Sequence, residues 1–512
     1  MLSRRDVVKL GLFGVPAVAL RPGFAFEFLT DSRLPRSPTV VPFQTELPRP
    51  SVIQPINPAN FPSPAPPALP NTDYFLVSQH KSDIEVFPTG PRTVMWTYNG
   101  TFPGPTFIVQ KNRQILVRQI NNLNEPNTSI THLHGAHTPS DSDGGAFTSQ
   151  IVPPGSFKDY VYPNDDKYAH TLFYHDHFID FTGRNIYMGL AGFYLLQDQF
   201  EHALVSQGKL PSLDFDIPLA FHDRQFDADN QLVYNTFDHD GFLGDRFLVN
   251  GVIQPKLTVA NRRYRFRLLN GSNARFYGFA LSTGDPFTII ASDQALLRHP
   301  VIVNKLIMGP AERYEIIVDF SRYPVGTKLF LLNAEQQENG RGPDGFDLRS
   351  AVPLLRFDVD INNPEVNPVA IPDPLRSDLV LPQPKDVVKT RRFEFNRSDG
   401  AWQINGRFYD EDRVDANPRV NTTERWNFKN GGGGWFHPIH THDQGFRVLS
   451  RNGKTPPPQE QGLKDVVPLA GGDEVDVLIH FEGPNNIGKY VMHCHNAEHE
   501  DMRMMVRFDV VP

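Results

Sequence analysis

The sequence predicts an all-β protein of three domains, and three observations support this prediction. The chain has 512 residues, which at roughly 150 residues per domain is enough for about three domains. Proline (46) and glycine (38) are abundant while methionine (8) is scarce, and this composition favours strands and turns over helices. Short β-branched or aromatic runs recur between turn residues, which is the spacing of β-sandwich domains.

The first residues have the pattern of an export signal. Arg4-Arg5 precedes an apolar stretch from Leu10 to Leu20, which predicts a twin-arginine signal over residues 1–25. Cleavage after Ala19 or after Ala25 fits equally well, and an ordinary tail with two arginines is the alternative. The twin-arginine route carries folded proteins, which suits a chain with one cysteine and therefore no internal disulfide. We expect a periplasmic or extracellular protein.

Proline-rich stretches mark the predicted domain boundaries. Twelve prolines fall within residues 35–70, so residues 26–70 are predicted to form an extended linker or surface wrap rather than a ladder or helix. A second stretch, residues 361–385, predicts an interdomain linker. The predicted domains are residues 71–205, 206–385 (which includes the second linker) and 386–512.

The β-branched or aromatic runs include Gln114–Arg118 in the first domain, Tyr264–Leu269 and Tyr314–Val318 in the second and Val475–Ile479 in the third. Several of the runs alternate apolar and polar residues, as half-buried strands do. The clearest helical pattern covers residues 200–207 and ends at Gly208.

Histidine pairs are the strongest functional signal. The sequence has four His-x-His pairs, whereas 18 histidines in 512 residues give fewer than one by chance. In a strand, residues i and i+2 point to the same face, so each pair can aim two imidazoles at one place. Imidazole is a ligand for Cu, Zn, Fe and Ni, and metal binding would explain all four pairs together. The pairs are His132/His134, His175/His177, His440/His442 and His493/His495.

The only cysteine stands inside the last pair, so in a strand its thiolate points to the opposite face. This alternation predicts a second metal site, one residue away from the first. Two histidines, one cysteine and a weak thioether form the ligand set of a blue-copper electron-transfer site. Zinc is the competing metal, but structural zinc prefers more cysteines and no thioether. The candidate set is His437, Cys494 and His499 with Met504 as a weak axial ligand, and Met502 and Met505 are also nearby.

The eight paired histidines can hold three more copper ions. Reducing O₂ to two waters takes four electrons, while a blue site passes one electron at a time. A cluster that accumulates electrons and binds O₂ would complete such a chain of transfer.

The four histidine segments resemble the copper motifs of the multicopper oxidases. The similarity covers essentially all of the sequence after residue 71 and is closest to bacterial spore-coat laccases and bilirubin oxidases, through the His-Glu-Asp-x-x-Met-Met ending and Gly462–Val466. The motifs are Thr131-His-Leu-His-Gly135, Tyr174-His-Asp-His177, His437-Pro-Ile-His-Thr-His442 and His493-Cys-His-Asn-Ala-Glu-His-Glu-Asp-Met-Arg-Met504.

The resemblance implies three cupredoxin-like Greek-key β-sandwiches, with the blue site in the third and a three-copper cluster between the first and third. The middle domain is expected to supply no copper ligand. By motif position, type 1 copper takes His437, Cys494, His499 and Met504; type 2 takes His132 and His440; the type 3 pair takes His134, His175, His177, His442, His493 and His495. Four copper ions are therefore the expected cofactors.

The same resemblance assigns catalytic roles outside the ligand set. Electrons are expected to enter at an exposed edge of His437 or His499 and to cross Cys494 to the cluster. Asp143 and Glu500 match acidic positions of laccase-like relatives and are predicted to deliver protons, or else only to orient ligand histidines. Asp141 and Asp443 are predicted to be solvated loop acids. His137 is not expected to be a copper ligand.

The predicted function is a laccase-like oxidase of phenols or other aromatic donors, with O₂ as acceptor. The alternatives are a metal-ion oxidase for Cu(I) or Mn(II), a bilirubin oxidase, and a copper-free exported scaffold of the same fold. Scarce methionine disfavours Cu(I), and complete ligand positions disfavour the scaffold. The formal net charge of −8 argues against a nucleic-acid partner, and the sequence lacks an apolar run long enough to span a membrane. A monomer is expected.

Overall fold

The structure is a computed structural model that describes residues 34–124, 126–236, 238–398, 400–483 and 485–512. The predicted twin-arginine signal at residues 1–25 lies outside the described residues. The described chain folds into three successive β units, each with two main sheets that enclose a core. This architecture agrees with the predicted all-β class.

The first domain has two four-stranded sheets. Its strands are β1 (Thr72–Ile84), β2 (Thr93–Tyr98), β3 (Gly104–Gln110), β4 (Gln114–Asn121), β5 (Thr131–His134), β6 (Phe157–Tyr162), β7 (His170–Asp176) and β8 (Ala191–Gln197). The sheet orders are β2-β1-β4-β6 and β3-β8-β7-β5. Every residue of β7 is buried, since one face packs on the core and the other faces the neighbouring domains.

The second domain is the largest. Its strands are β9 (Asp216–Phe226), β10 (Leu232–Val233), β11 (Arg246–Val249), β12 (Val252–Ile253), β13 (Lys256–Ala260), β14 (Arg263–Asn270), β15 (Tyr277–Leu281), β16 (Phe287–Ser292), β17 (Ala295–Val303), β18 (Leu306–Met308), β19 (Arg313–Asp319), β20 (Thr327–Asn333), β21 (Glu335–Gln336), β22 (Gly345–Phe346) and β23 (Val352–Ile361). The main sheets run β12-β11-β9-β14-β19-β16-β17, with β10 on β9, and β13-β23-β20-β15-β18.

The third domain carries the second half of the histidine motifs. Its strands are β24 (Val387–Ser398), β25 (Ala401–Ile404), β26 (Thr422–Asn430), β27 (His437–Thr441), β28 (Phe446–Arg451), β29 (Leu463–Lys464), β30 (Val466–Leu469), β31 (Glu474–Phe481), β32 (Gly488–Cys494) and β33 (Met505–Val510). They form sheets in the orders β25-β24-β26-β31-β28-β29 and β30-β27-β32-β33.

Helices are short in the part of the chain that the structure describes. The α-helices are α1 (Ser140–Asp143), α2 (Thr182–Met188), α3 (Gln199–Ser206) and α4 (Ala497–Asp501). Single 3₁₀ turns occur at Pro58–Asn60, Thr148–Gln150, Leu213–Phe215, Phe320–Arg322, Leu348–Ser350, Pro384–Asp386 and Pro458–Glu460. Helix α3 lies where the sequence predicted a helix, and the Asp198 side chain caps it by accepting from the N–H of Glu201 at 2.8 Å. None of the described helices is long and apolar enough to cross a membrane.

The described part of the first proline-rich segment runs along two domains. The N–H of Leu47 donates to the carbonyl of Lys256 in the second domain, at 2.7 Å, and that of Ile53 to Thr106 in the first, at 3.1 Å. The segment therefore adds isolated bridges to strand edges, because its prolines leave too few N–H groups for a full ladder.

Candidate metal centre

Strand register places the histidine pairs opposite one another. In the first domain, antiparallel pairing of β5 with β7 sets His132 across from His175. In the third domain, pairing of β27 with β32 sets His440 across from His493. Each domain therefore presents a patch of four imidazoles, formed at the end of two neighbouring strands.

The two imidazole patches face each other across the boundary between the first and third domains. The His132 and His442 rings stack with centroids 3.7 Å apart, and the His134 and His440 rings stack at the same distance. The eight paired histidines are all at most 5% exposed. The structure thus brings together all eight of the predicted cluster residues.

In several histidines, a hydrogen bond at one ring nitrogen determines which nitrogen remains free to bind a metal. The Nδ1–H groups of His132, His175 and His440 donate to the backbone carbonyls of Asp143 (2.5 Å), Asp176 (2.9 Å) and Asp465 (2.9 Å). Their Nε2 atoms are buried and have no hydrogen-bond partner. Such tautomers leave a lone pair aimed at the space between the domains, as metal-bound histidines require.

Two ring nitrogens of the cluster face each other, each with a lone pair, and this arrangement fits a cation bound between them. The Nε2 atoms of His442 and His493 lie 3.3 Å apart. His442 Nδ1–H donates to Asp143 Oδ2 at 2.7 Å, and His493 Nδ1–H to the carbonyl of Cys494 at 3.2 Å. Both Nε2 atoms are then acceptors that repel each other unless a cation lies between them. Burial, followed by the neighbouring histidines, lowers the pKa of His442 well below its ordinary value, so the ring is in the neutral, ligating form.

The predicted blue site assembles on the other side of β32. Cys494 Sγ lies 3.5 Å from the Nδ1 atoms of both His437 and His499, which are 3.1 Å from each other. All three residues are 0% exposed. Burial raises the pKa of the Cys494 thiol and lowers the pKa of His437 to about 3, so the thiolate needs a bound cation to be stable here.

Methionine 504 lies beside this trio. Its carbonyl accepts from the N–H of Cys494 at 3.1 Å, and its side chain is in the same buried cluster as Cys494. Met502 belongs to this cluster too, whereas Met505 packs in a separate one.

The prediction of an exposed type 1 edge is wrong. His437 and His499 are fully buried, because the Trp402 ring lies 4.0 Å from that of His499 and a second-domain loop covers the remaining side. His499 Nε2–H donates to the carbonyl of Asp240 at 3.2 Å, and Trp402 Nε1–H to that of His239 at 2.6 Å. The part of this cover that comes from the second domain could not be predicted from the sequence, because it depends on a contact between domains.

Two predicted acids lie at the edges of the cluster. Asp143 is fully buried and contacts His442 through its carboxylate and His132 through its carbonyl. Burial and then nearby Asp443 raise the pKa of Asp143 well above its ordinary value. Glu500 is buried with Oε2 3.2 Å from His493 Nδ1 and Oε1 3.7 Å from His177 Nε2. Asp143 can therefore hold a proton beside the metal-binding space, and Glu500 contacts a histidine of the first domain and one of the third.

The reading of Asp443 as a solvated acid is wrong, while Asp141 is exposed. Asp443 is 4% exposed and accepts from Asn486 at 2.6 Å and Gln444 at 3.0 Å. Burial raises its pKa to about 7. The reason is that the loop after β27 turns inward against the first domain, where His137 Nε2 lies 4.0 Å from the Asp443 carboxylate.

Sequence reasoning missed three residues that support the site. Asp465 contacts His134 through its side chain, and Glu498 accepts from Tyr234 and Asn273 of the second domain at 2.7 and 2.9 Å. Trp402 covers the His499 ring. Asp465 lies within the Gly462–Val466 segment of the resemblance, and Glu498 lies within the last histidine motif. The motifs therefore included both residues, but they gave neither of them a role.

A buried thiol with two imidazoles in the third domain, and eight histidines between the first and third, define a copper-dependent oxidoreductase of three β-sandwich domains. Family models described as "Multicopper oxidase" match residues 81–201, 226–345 and 381–512. The chain belongs to the multicopper oxidase family, whose members bind copper, typically four ions, and use O₂ as acceptor.

Relatives with different activities are similar over most of the chain. A bilirubin oxidase of Albifimbria verrucaria is 40% identical over 85% of this chain and 76% of its own length. A laccase of Bacillus subtilis (strain 168) is 32% identical over 92% of this chain and 99% of its own. The crystal structure of a laccase from Pediococcus acidilactici superposes with a TM-score of 0.80 at 28% identity, covering 94% of this chain and 95% of the other.

Proposed function

We propose that this multicopper oxidase is laccase-like and couples four one-electron oxidations of a phenolic or other aromatic donor to the reduction of O₂ to two waters. One observation carries the proposal: Cys494 points into the blue-type site while its neighbours, His493 and His495, point into the histidine cluster. Adjacent residues of the chain therefore connect the blue-type site, which would receive electrons from the donor, to the histidine cluster, which would pass them to O₂.

The ligand assignment is part of the proposal and rests on the free nitrogens and on the buried thiol. His437 Nδ1, His499 Nδ1 and Cys494 Sγ would hold type 1 copper, with Met504 beside them. Copper, when bound, supplies reversible one-electron redox chemistry. Type 2 copper would be held by His132 and His440, and the type 3 pair by His134, His175, His177, His442, His493 and His495.

Residues around these sites would hold protons for O₂ reduction and bind the electron donor. Asp143 would hold a proton at Oδ1 or Oδ2 beside His442, and Glu500 would do so beside His493 and His177. Because the imidazole of His499 is covered, the donor would dock on the covering loop and on the exposed side of Arg397, whose guanidinium lies 5.0 Å from the Trp402 ring. The hydrogen bond from His499 to the Asp240 carbonyl gives this surface a direct link to the type 1 site.

A bilirubin oxidase is the second candidate, favoured by the 40% identical relative of that name. Cu(I) oxidation is disfavoured, since Met502, Met504 and Met505 are all buried and form no methionine-rich surface. The copper-free scaffold is disfavoured because each position of the ligand motifs is filled.

We also propose export by the twin-arginine route, supported by Arg4-Arg5 before the apolar stretch. Replacing both arginines by lysine should retain the protein in the cytoplasmic fraction, and unchanged export would contradict the route.

A donor panel tests the proposed activity. Copper-loaded protein should consume one O₂ for every four one-electron equivalents from a syringyl phenol, without accumulating peroxide. Bilirubin, Cu(I) and Mn(II) measured at equal concentration rank the alternatives by kcat/KM. Turnover of Cu(I) or Mn(II) with none of the phenol would contradict the laccase-like assignment.

A further inference from the structure

The loop between β29 and β30 of the third domain touches histidines from two domains. Asp465 Oδ1 lies 3.1 Å from His134 Nε2, which leaves the Nδ1 of that ring free. The backbone carbonyl of the same residue accepts from His440 Nδ1 at 2.9 Å. Asp465 therefore orients one ring of the first domain and one of the third.

Arg313, at the start of β19 in the second domain, forms hydrogen bonds with the Asp465 carboxylate. Its Nη1 and Nη2 atoms each lie 2.5 Å from one oxygen of the Asp465 carboxylate, in a forked pair. Its Nε–H donates to the carbonyl of Thr171 in the first domain at 3.1 Å. Arg313 and Asp465 are at most 1% exposed, so water does not weaken these contacts.

The turn between β16 and β17 of the second domain forms further hydrogen bonds with the same loop. Asp293 Oδ2 accepts from the backbone N–H groups of Asp465 and Val466, both at 3.2 Å, and lies 3.0 Å from Lys464 Nζ. Gln294 Nε2 lies 2.6 Å from both Asp465 Oδ2 and the carbonyl of Gly135, the residue after His134. The turn thus ties Gly135, at the end of the first histidine motif, to Asp465 of the third domain.

We infer that Arg313, from the domain that supplies no copper ligand, is a positioning residue for type 2 copper. This inference rests on the proposed function. Type 2 copper would have only two protein ligands, His132 from the first domain and His440 from the third, so its affinity depends on how those domains are spaced. The other proposed sites have more ligands. Partners that orient metal-binding histidines typically change metal affinity 10–100-fold.

The test uses the copper-loaded full chain and Arg313→Lys, which keeps the positive charge and loses the fork. A chelator is titrated while the type 2 electron paramagnetic resonance signal, the blue absorption and total copper are recorded. We expect Arg313→Lys to lose the type 2 signal at roughly 10–100-fold lower chelator concentration than wild type while its blue band is unchanged.

The matched control is Arg265→Lys, on the neighbouring strand β14. Arg265 is equally buried and is hydrogen-bonded to Glu315 and Glu201, and the hydrogen bonds and ion pairs of its side chain go to second-domain and α3 acids rather than to the histidine motifs. This variant should keep the wild-type chelator profile. Gln294→Met serves as a second, smaller change if Arg313→Lys does not fold, and it should weaken type 2 copper in the same direction.

Four results would decide against the inference or its basis. Equal loss of type 2 copper in Arg313→Lys and Arg265→Lys, or parallel loss of the blue band, would show a general destabilisation and overturn the positioning role. A foldable Gln294→Met with the wild-type profile would also overturn it where Arg313→Lys does not fold. A wild-type protein that binds copper without a type 2 signal would instead overturn the proposed function.

Discussion

At the scale of single residues, the main feature is the alternation at His493-Cys494-His495. The sequence was sufficient to predict it, because i and i+1 side chains of a strand point to opposite faces whatever the surrounding fold. The structure confirms that Cys494 lies with His437 and His499 while its two neighbours join the other histidines. Local geometry of this kind is the part of a site that sequence reasoning reaches best.

Asp143 provides a test of proton delivery at this scale. Asp143→Asn keeps an acceptor for His442 and His132 but cannot release a proton. We expect reduction of O₂ to slow by about 10²-fold or more, while the blue absorption and copper content stay at wild-type levels. Stopped-flow mixing of the reduced enzyme with O₂ measures this step apart from donor oxidation.

Asp141→Asn is the control, since Asp141 belongs to the same helix, α1, and is exposed. It should react with O₂ at the wild-type rate. If Asp143→Asn does so too, Asp143 only orients the histidine rings.

At the scale of elements, the sequence predicted runs of strand and the one clear helix but not the register between strands. The pairing of His132 with His175, and of His440 with His493, depends on which strands become neighbours. Asp443 shows the same limit: a polar residue after a strand normally faces water, but this loop turns toward another domain. Such long-range contacts leave no local pattern in a single sequence.

The cap of helix α3 allows a prediction about stability and pH. Asp198 caps the helix and pairs with Arg376 of the second proline-rich segment, with Oδ2 2.6 Å from Nη2. Burial alone would raise the pKa of Asp198, but the Arg376 pair and the backbone N–H donors outweigh it, so the pKa lies below its ordinary value. Asp198→Ala should lower the free energy of unfolding at pH 7 by about 3 kcal/mol, from the buried pair and the cap together.

The sign of the pH effect follows from the lowered pKa. The stabilisation by the Asp198 charge is present above the unfolded-state pKa and is lost as the pH falls through the lower folded-state pKa. Wild type and Asp198→Ala should therefore converge in chemical denaturation below about pH 4. Asp198→Asn retains a capping side chain and should lie between them at pH 7. A difference that grows on acidification would contradict the assignment.

At the scale of the whole molecule, the proposed catalytic unit exists only between domains. The first and third domains each supply four histidines, and the second covers the type 1 site and holds Asp465. Family resemblance in the sequence was enough to expect the cluster between the first and third domains. It was not enough to expect the buried type 1 edge, because the second-domain loop contacts this edge through the backbone carbonyls of Asp240 and His239, and residues of any type carry such a carbonyl.

The central claim is that one sulfur connects two groups of copper ligands, and copper-loaded Cys494→Ser tests it most directly. Optical and electron paramagnetic resonance spectra with total copper should show loss of the blue band, about three copper ions per chain in place of four, and no oxidation of organic donors. The type 2 signal should persist, since His132 and His440 are untouched. A Cys494→Ser protein that remained blue, or that kept four copper ions and full turnover, would contradict the account.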